Sequence, residues 1–185
     1  MLTKWAKSLI SYAPNECVLL GLNNYEKAAF QAKTCSGNTI YTSYYYMSAA
    51  SKGLITSFTE SGGTASTGFA VGSGNTPATD EDYNVETLIT DLTLSTTPVV
   101  QSSYDTTTGK YSVYVELSLS NATANDIIVK EIARFAAVYA TNELGGTLSA
   151  SNPAKRSVMV DRTVLNTPVT IPAGQSGLIR YAFVY

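Results

Sequence analysis

Between Tyr111 and Leu119 the chain alternates. Tyr111, Val113, Val115, Leu117 and Leu119 are interleaved with Ser112, Tyr114, Glu116 and Ser118. A side-chain period of two belongs to a strand with one face on a core and the other toward water. The composition extends this reading to the whole chain. Charged residues make up 14%, and their place is taken by 20 Ser, 24 Thr and 13 Tyr. An average globular chain carries about 25% charge. Thr and Tyr suit half-exposed pleated surfaces.

Turn signals separate further strand-like runs. Residues 105–109 (Asp-Thr-Thr-Thr-Gly) and 121–126 (Asn-Ala-Thr-Ala-Asn-Asp) read as turns, and residues 61–68 as a glycine-rich loop. Residues 17–22 are apolar, residues 39–47 are Tyr-rich, and residues 69–71 form a short strand. Residues 92–100 read as a strand broken by Pro98. Residues 127–139 are almost continuously apolar, interrupted by Lys130, Glu131 and Arg134; β-branched residues at the start favour a central strand over a buried helix. Residues 141–153 read as a polar loop, and residues 157–165 and 177–185 as strands joined by a loop over 167–174. Short strands at regular spacing predict a mainly β protein, an antiparallel, jelly-roll-like β-sandwich.

Two short helices are expected beside it. Leu2, Trp5, Ala6, Leu9 and Ile10 share one side of a helix that Pro14 ends, with Lys4, Lys7 and Ser8 opposite. The domain division is therefore a helical arm over 1–14 and a sandwich over 15–185. The arm packs either on its own domain or on another subunit. Thr79 and Asp82 stand in a capping-box relation, which predicts a second helix over 80–89 with Tyr83, Val85 and Leu88 inward.

The residues bound the chemistry. With no histidine, Ser-His-Asp and Cys-His catalysis and most zinc sites are excluded. Cys17 and Cys35 form no CxxC pair and are either one disulfide or two thiols, the latter if the chain is made and kept in a reducing cytoplasm. Gly72-Ser-Gly74 lacks the third glycine of a dinucleotide loop and the Lys-Ser/Thr of a P-loop, so it reads as a structural turn. Asp80, Asp82, Asn84, Glu86 and Asp91 follow the spacing of a calcium loop, but Val85 replaces its glycine and Asp91 its bidentate Glu. These acids are expected to flank a helix N-terminus. No catalytic, cofactor or metal residue is assigned. The net charge of −2 and scattered Lys and Arg give no basis for direct nucleic-acid binding. No apolar run reaches the length of a membrane span, and residues 1–10 do not read as a signal peptide. Trp5, Leu9, Ile10, Tyr41, Tyr44, Tyr45 and Tyr46 are the candidate subunit-interface residues, because Tyr and Trp are enriched at interfaces.

Several segments in one order resemble a group of tailed-bacteriophage virion proteins. Val71-Gly-Ser-Gly-Asn-Thr-Pro, with Asp82-Tyr83 after it, resembles their "GTGTTPP…DY.L" segment. Glu131-Ile-Ala-Arg-Phe135 resembles "EIGLF", with Ala133 in place of Gly and Arg134 in place of Leu. Arg162-Thr-Val164 resembles "R.V", and Pro168 to Gly174 with Tyr181-Ala-Phe183 resembles the final "P.TI.AG….Y.I.F" hairpin. The resemblance covers roughly residues 68–185. It implies a non-enzymatic structural component of the particle, a collar, neck, tail, fibre-adaptor or head-surface part present in rings or trimers. The implied partners are other copies of the chain and other virion proteins, and the implied location is the virion, assembled in the host bacterial cytoplasm. The alternatives are a receptor- or carbohydrate-binding module of a fibre, with a host-surface glycan as ligand, and a head-surface decoration protein. A secreted adhesin-like domain is a third.

Overall fold

A computed structural model describes residue 3 and residues 30–42, 53–59, 65–140, 142–143 and 154–184. Among these the chain is mainly β, with no helix. Its strands are β1 (Phe30–Lys33), β2 (Thr39–Thr42), β3 (Gly68–Gly72), β4 (Leu92–Leu94), β5 (Val99–Asp105), β6 (Lys110–Asn121), β7 (Ile127–Ala140), β8 (Asn142–Glu143), β9 (Ala154–Ile171) and β10 (Ser176–Val184). The named strands pair antiparallel in three sheets: β1-β2-β8, β3-β7-β9, and a sheet in which β6 pairs β10 on one side and β4 and β5 on the other.

The alternation in β6 does what its period implies. Val115, Leu117 and Leu119 are buried and meet Ile179 of β10, Leu92 of β4, and Phe69, Val71, Val129, Ile132 and Ile171 of the β3-β7-β9 sheet. Two sheets thus share one core. The opposite face of β3-β7-β9 is covered as well. Ala70, Ala133, Phe135 and Met159 pack there against Cys35, Ile55 and Val85, and the Phe58 ring tilts onto Phe135 at 4.8 Å between centroids. Burial on both faces explains why β7 reads as a continuous apolar run.

Several expectations are corrected. No helix forms over 80–89, which is a series of turns and bends. The reason is tertiary: the amides that would close helical turns bond to side chains from elsewhere, as described below. Val85 is buried and Leu88 half-buried as expected, but Tyr83 is 37% exposed, with the Lys33 ammonium 4.1 Å from its ring centroid. The strand expected over 157–165 runs on to Ile171 and absorbs part of the expected loop. It passes Pro168 because the ladder jumps from Val129↔Val169 to Glu131↔Val164, so Pro168 lies in an irregularity where no ladder N–H is required. Within the expected polar loop, Asn142 and Glu143 pair with β2. The N-terminal helix lies outside the described residues, as do Trp5, Leu9, Ile10, Tyr44, Tyr45 and Tyr46; Tyr41 takes a backbone position in β2 opposite Gln31 and Asn142. Thr3 is buried; its amide donates to Val160 O at 3.0 Å and its hydroxyl to Met159 O at 2.8 Å.

Leu117 and Leu178 lie in neighbouring strands, fully buried and 58% exposed respectively. Leu117→Ala is expected to cost about 2–5 kcal/mol, and Leu178→Ala to stay within about 0.5 kcal/mol. Urea unfolding of the two variants checks this; equal losses would put the core elsewhere.

Candidate functional site: a buried carboxylate under the glycine loop

β3 leaves the sheet at Gly72, which pairs with Glu131 of β7. Glu131 is fully buried in the middle of the β3-β7-β9 sheet. A carboxylate there needs a counter-charge and hydrogen bonds, since an isolated buried charge is prohibitive. It has both. Its oxygens accept the amides of Gly74 at 3.1 Å, Glu86 at 3.0 Å and Thr87 at 3.2 Å. Arg162 of β9 donates Nε–H to Oε2 at 2.6 Å. In the ladder Arg162 faces Ala133, two residues along β7 from Glu131, so the pair is a diagonal cross-strand contact on one face.

Arg162 continues the network outward. Its Nη1 donates to Asp82 Oδ2 at 2.9 Å and its Nη2 to the Thr76 carbonyl at 3.1 Å, with Glu86 Oε2 3.9 Å from Nη2. Glu86 Oε2 accepts the amides of Asn75 and Thr76, both at 3.0 Å. Asp82 accepts the Thr79 amide at 3.0 Å and the Thr79 hydroxyl at 2.8 Å. The residues between Gly72 and Thr87 are therefore held from both ends and the middle by one carboxylate and one guanidinium.

The two glycines are set by proximity. A Cβ on Gly72 would overlap Glu131 Oε1 and lie 2.7 Å from the Thr87 carbonyl oxygen. One on Gly74 would overlap Glu86 Cβ and lie 2.7 Å from Glu131 Oε1. The backbone must come this close for its amides to reach the carboxylate. The same bonds explain the missing helix. The Thr79–Asp82 contact forms, but the amides of Glu86 and Thr87 go to Glu131 and that of Val85 to the Asn84 side chain at 2.8 Å. Donors so committed cannot form i→i−4 bonds.

The charges are tuned accordingly. Burial disfavours ionisation of Asp82, but the Thr79 amide, Arg162 and the Thr79 hydroxyl outweigh it, and its carboxyl titrates below the usual aspartate range. The Thr76 amide, then that of Asn75 and the charge of Arg162, hold Glu86 low as well. Burial works against the Arg162 cation, and its bonds to Asp82 and Glu131 more than restore it.

Of the acids in the calcium-like spacing, the structure brings Asp82 and Glu86 together on Arg162. Asn84 instead donates to the Cys35 carbonyl at 2.9 Å, and Asp91 accepts the Thr90 hydroxyl at 3.3 Å. Among the described residues no three His, Cys, Asp or Glu side chains converge as a metal site. The sequence reading does not single out Glu131 and Arg162 as site residues, although it carries the signal: a charge within a run buried on both faces must have a partner. A second buried acid confirms the rule, because Asp161 lies directly opposite Arg134 and pairs with it at 2.9 Å.

Beside the loop lies an open groove of about 540 Å³, lined by Ser36, Glu81, Asp82, Tyr83, Glu86 and Arg162 among others. Arg162, Asp82 and Glu86 are bonded to one another or to backbone, so the network fastens a loop to a sheet. Neither a known family model, a curated protein nor a solved structure matches this chain.

Arg162→Met leaves Glu131 buried without its cation and is expected to cost about 3–5 kcal/mol. The double variant with Glu131→Gln should lose less than the sum of the single losses, by about 1 kcal/mol or more; strict additivity in denaturant unfolding would show the pair is not coupled. The folded-state carboxyls of Asp82 and Glu86 titrate below their unfolded values of about 3.9 and 4.3. Their contribution is thus complete above those values and is lost as pH falls through the lower folded ones. Unfolding midpoints should be insensitive to these two groups from pH 8 to 5 and drop below about pH 4, with a shallower drop in Asp82→Asn. Asp105, held low by the Thr108 hydroxyl and the Thr107 amide, should keep part of the slope in that variant.

Proposed function

We propose that this chain is a non-enzymatic structural component of a tailed bacteriophage particle. In this reading it is a jelly-roll-like β-sandwich that assembles as a symmetric oligomer in the neck, collar or tail region, with other copies of itself and other virion proteins as partners. One observation carries the reading. Three of the segments whose order resembles virion proteins are far apart in sequence, and their charged and glycine residues meet in one network: Gly72, Gly74 and Asp82 from the first, Glu131 from the second and Arg162 from the third. A shared pattern of that kind is expected from a common scaffold rather than from chance matches. The network holds a loop in shape, which is what a part working by fit between subunits requires. Low charge and the high Ser, Thr and Tyr content suit a surface that neighbouring subunits cover.

Mass spectrometry of purified particles from the phage whose genome encodes this chain should find it in fixed copy number, and light scattering on the isolated protein should show a ring or trimer. A compact monomer absent from particles would refute the proposal.

A further inference from the structure

The two larger sheets treat their edges differently. The β3 edge of β3-β7-β9, and its β9 edge around Ser157 to Val160, are covered by the chain itself. On β3, the Ile55 amide donates to Phe69 O, the Phe69 amide to Gly53 O, the Ser73 amide to Thr87 O and the Ile89 amide to Val71 O. On β9, the amides of Thr3 and Cys35 donate to Val160 O and Ser157 O. In the other sheet β6 is central, and β10 lies on one side with β5 on the other. Among the described residues no backbone hydrogen bond reaches the outer edge of either. These edges are nine and seven residues long, and neither contains Pro. β10 carries a single charge, Arg180, which is tied to Glu116 on its own sheet, and β5 carries only the terminal Asp105. Among the described residues nothing gives these edges the usual protection against strand pairing.

We infer that β10 of one copy pairs with β5 of the next, so that the sheets continue head to tail around a closed ring. This rests on the oligomer proposed above and names its interface. The occupant is a second copy because one sheet offers two open edges of similar length and low charge. A single heterologous contact, repeated, satisfies both, whereas a two-fold contact would cover one and leave the other open. The direction also agrees. β5 and β10 each run antiparallel to β6, hence parallel to each other. Rotation about an axis along the strands then brings β10 beside the neighbour's β5 in parallel. The ladder sets the levels: Val99 and Arg180 both face Glu116, and Gln101 and Ala182 both face Tyr114.

Cysteine cross-linking tests this. Within one chain, Ala182 and Gln101 flank Tyr114 and are two strand spacings apart, about 9–10 Å, beyond the roughly 7 Å limit for a disulfide. Between copies they become neighbours. In a Cys17→Ser background, Ala182→Cys is combined in turn with Val99→Cys, Gln101→Cys and Ser103→Cys, which spans the stagger that a tilted closure introduces. All four positions are exposed. Mild oxidation should give a covalent ladder ending at the ring size for one of the three pairs, and none for the background or the single variants. Leu178→Lys, a charge on the exposed edge strand, should raise the concentration needed for association at least tenfold while leaving the fold intact. A dimer from Ala182→Cys alone would mean a two-fold β10 contact and overturn the inference. So would an oligomer with no ladder from any pair, and in that case the virion reading would stand. A monomer that forms no ladder and is absent from particles would remove both.

Discussion

A carboxylate in the middle of a sheet that is buried on both faces is the constraint from which the rest follows. Glu131 is fully buried, and its removal from water is tolerable only because three backbone amides and Arg162 replace the water. Those amides come from both ends of the loop between β3 and β4. Satisfying the charge and shaping the loop are therefore one event. The glycines at 72 and 74 and the unwound 80–89 segment are consequences of it. Replacing a buried ion pair by apolar groups is often harmless to stability, but an apolar residue at 131 would leave the loop amides without acceptors.

The charges of β7 and β9 also fix how these strands meet. Glu131 and Arg162 lie on one face, Arg134 and Asp161 on the other. A slip of one residue would turn Asp161 to the face of Glu131 and Arg162 to that of Arg134. Like charges would then be buried together, so the ladder has one acceptable register across this stretch. The departures from the virion-like pattern fit the same arrangement. Ala133, where the pattern has Gly, is fully buried between Ala70 and Arg162 in the ladder. Its small side chain leaves room for the guanidinium to reach Glu131. Arg134, where the pattern has Leu, is the partner of Asp161.

What the sequence makes legible here is what short-range periodicity controls. The alternation of β6, the turns at 105–109 and 121–126, and the strand character of β7 all follow from local pattern, and the structure contains them. The helix over 80–89 misleads for a physical reason. Thr79 and Asp82 do make their local contact, but a carboxylate 45 residues away in sequence takes the next amides. Local propensity loses to a buried charge that has no other donors. The extension of β9 past Pro168 is likewise invisible to a strand rule, because it depends on a ladder irregularity opposite Lys130. Glu131 and Arg162 lie 31 residues apart, and no spacing rule connects them. Only the question of how a charge survives inside an apolar strand does.

The ion network and the open edges set the two larger sheets apart. In the β3-β7-β9 sheet both faces are packed, the β3 edge and the Ser157–Val160 part of the β9 edge are capped by the chain, and the register is pinned by charge. The β6 sheet has one face on the shared core and an outer face of Ser112, Tyr114, Glu116, Ser118 and Ser120, with Leu178 and Arg180 alongside. Few of these groups set a register, and backbone donors and acceptors along β5 and β10 are what that sheet offers beyond itself. One sheet is pinned by charge and the other presents edges, the division that the proposed oligomer would use. Strand addition draws its affinity from backbone bonds and tolerates varied side chains, so a surface poor in charge and rich in hydroxyls suffices there, while the buried charges Glu131, Asp161 and Arg162 lie in the β3-β7-β9 sheet, where they fix one register.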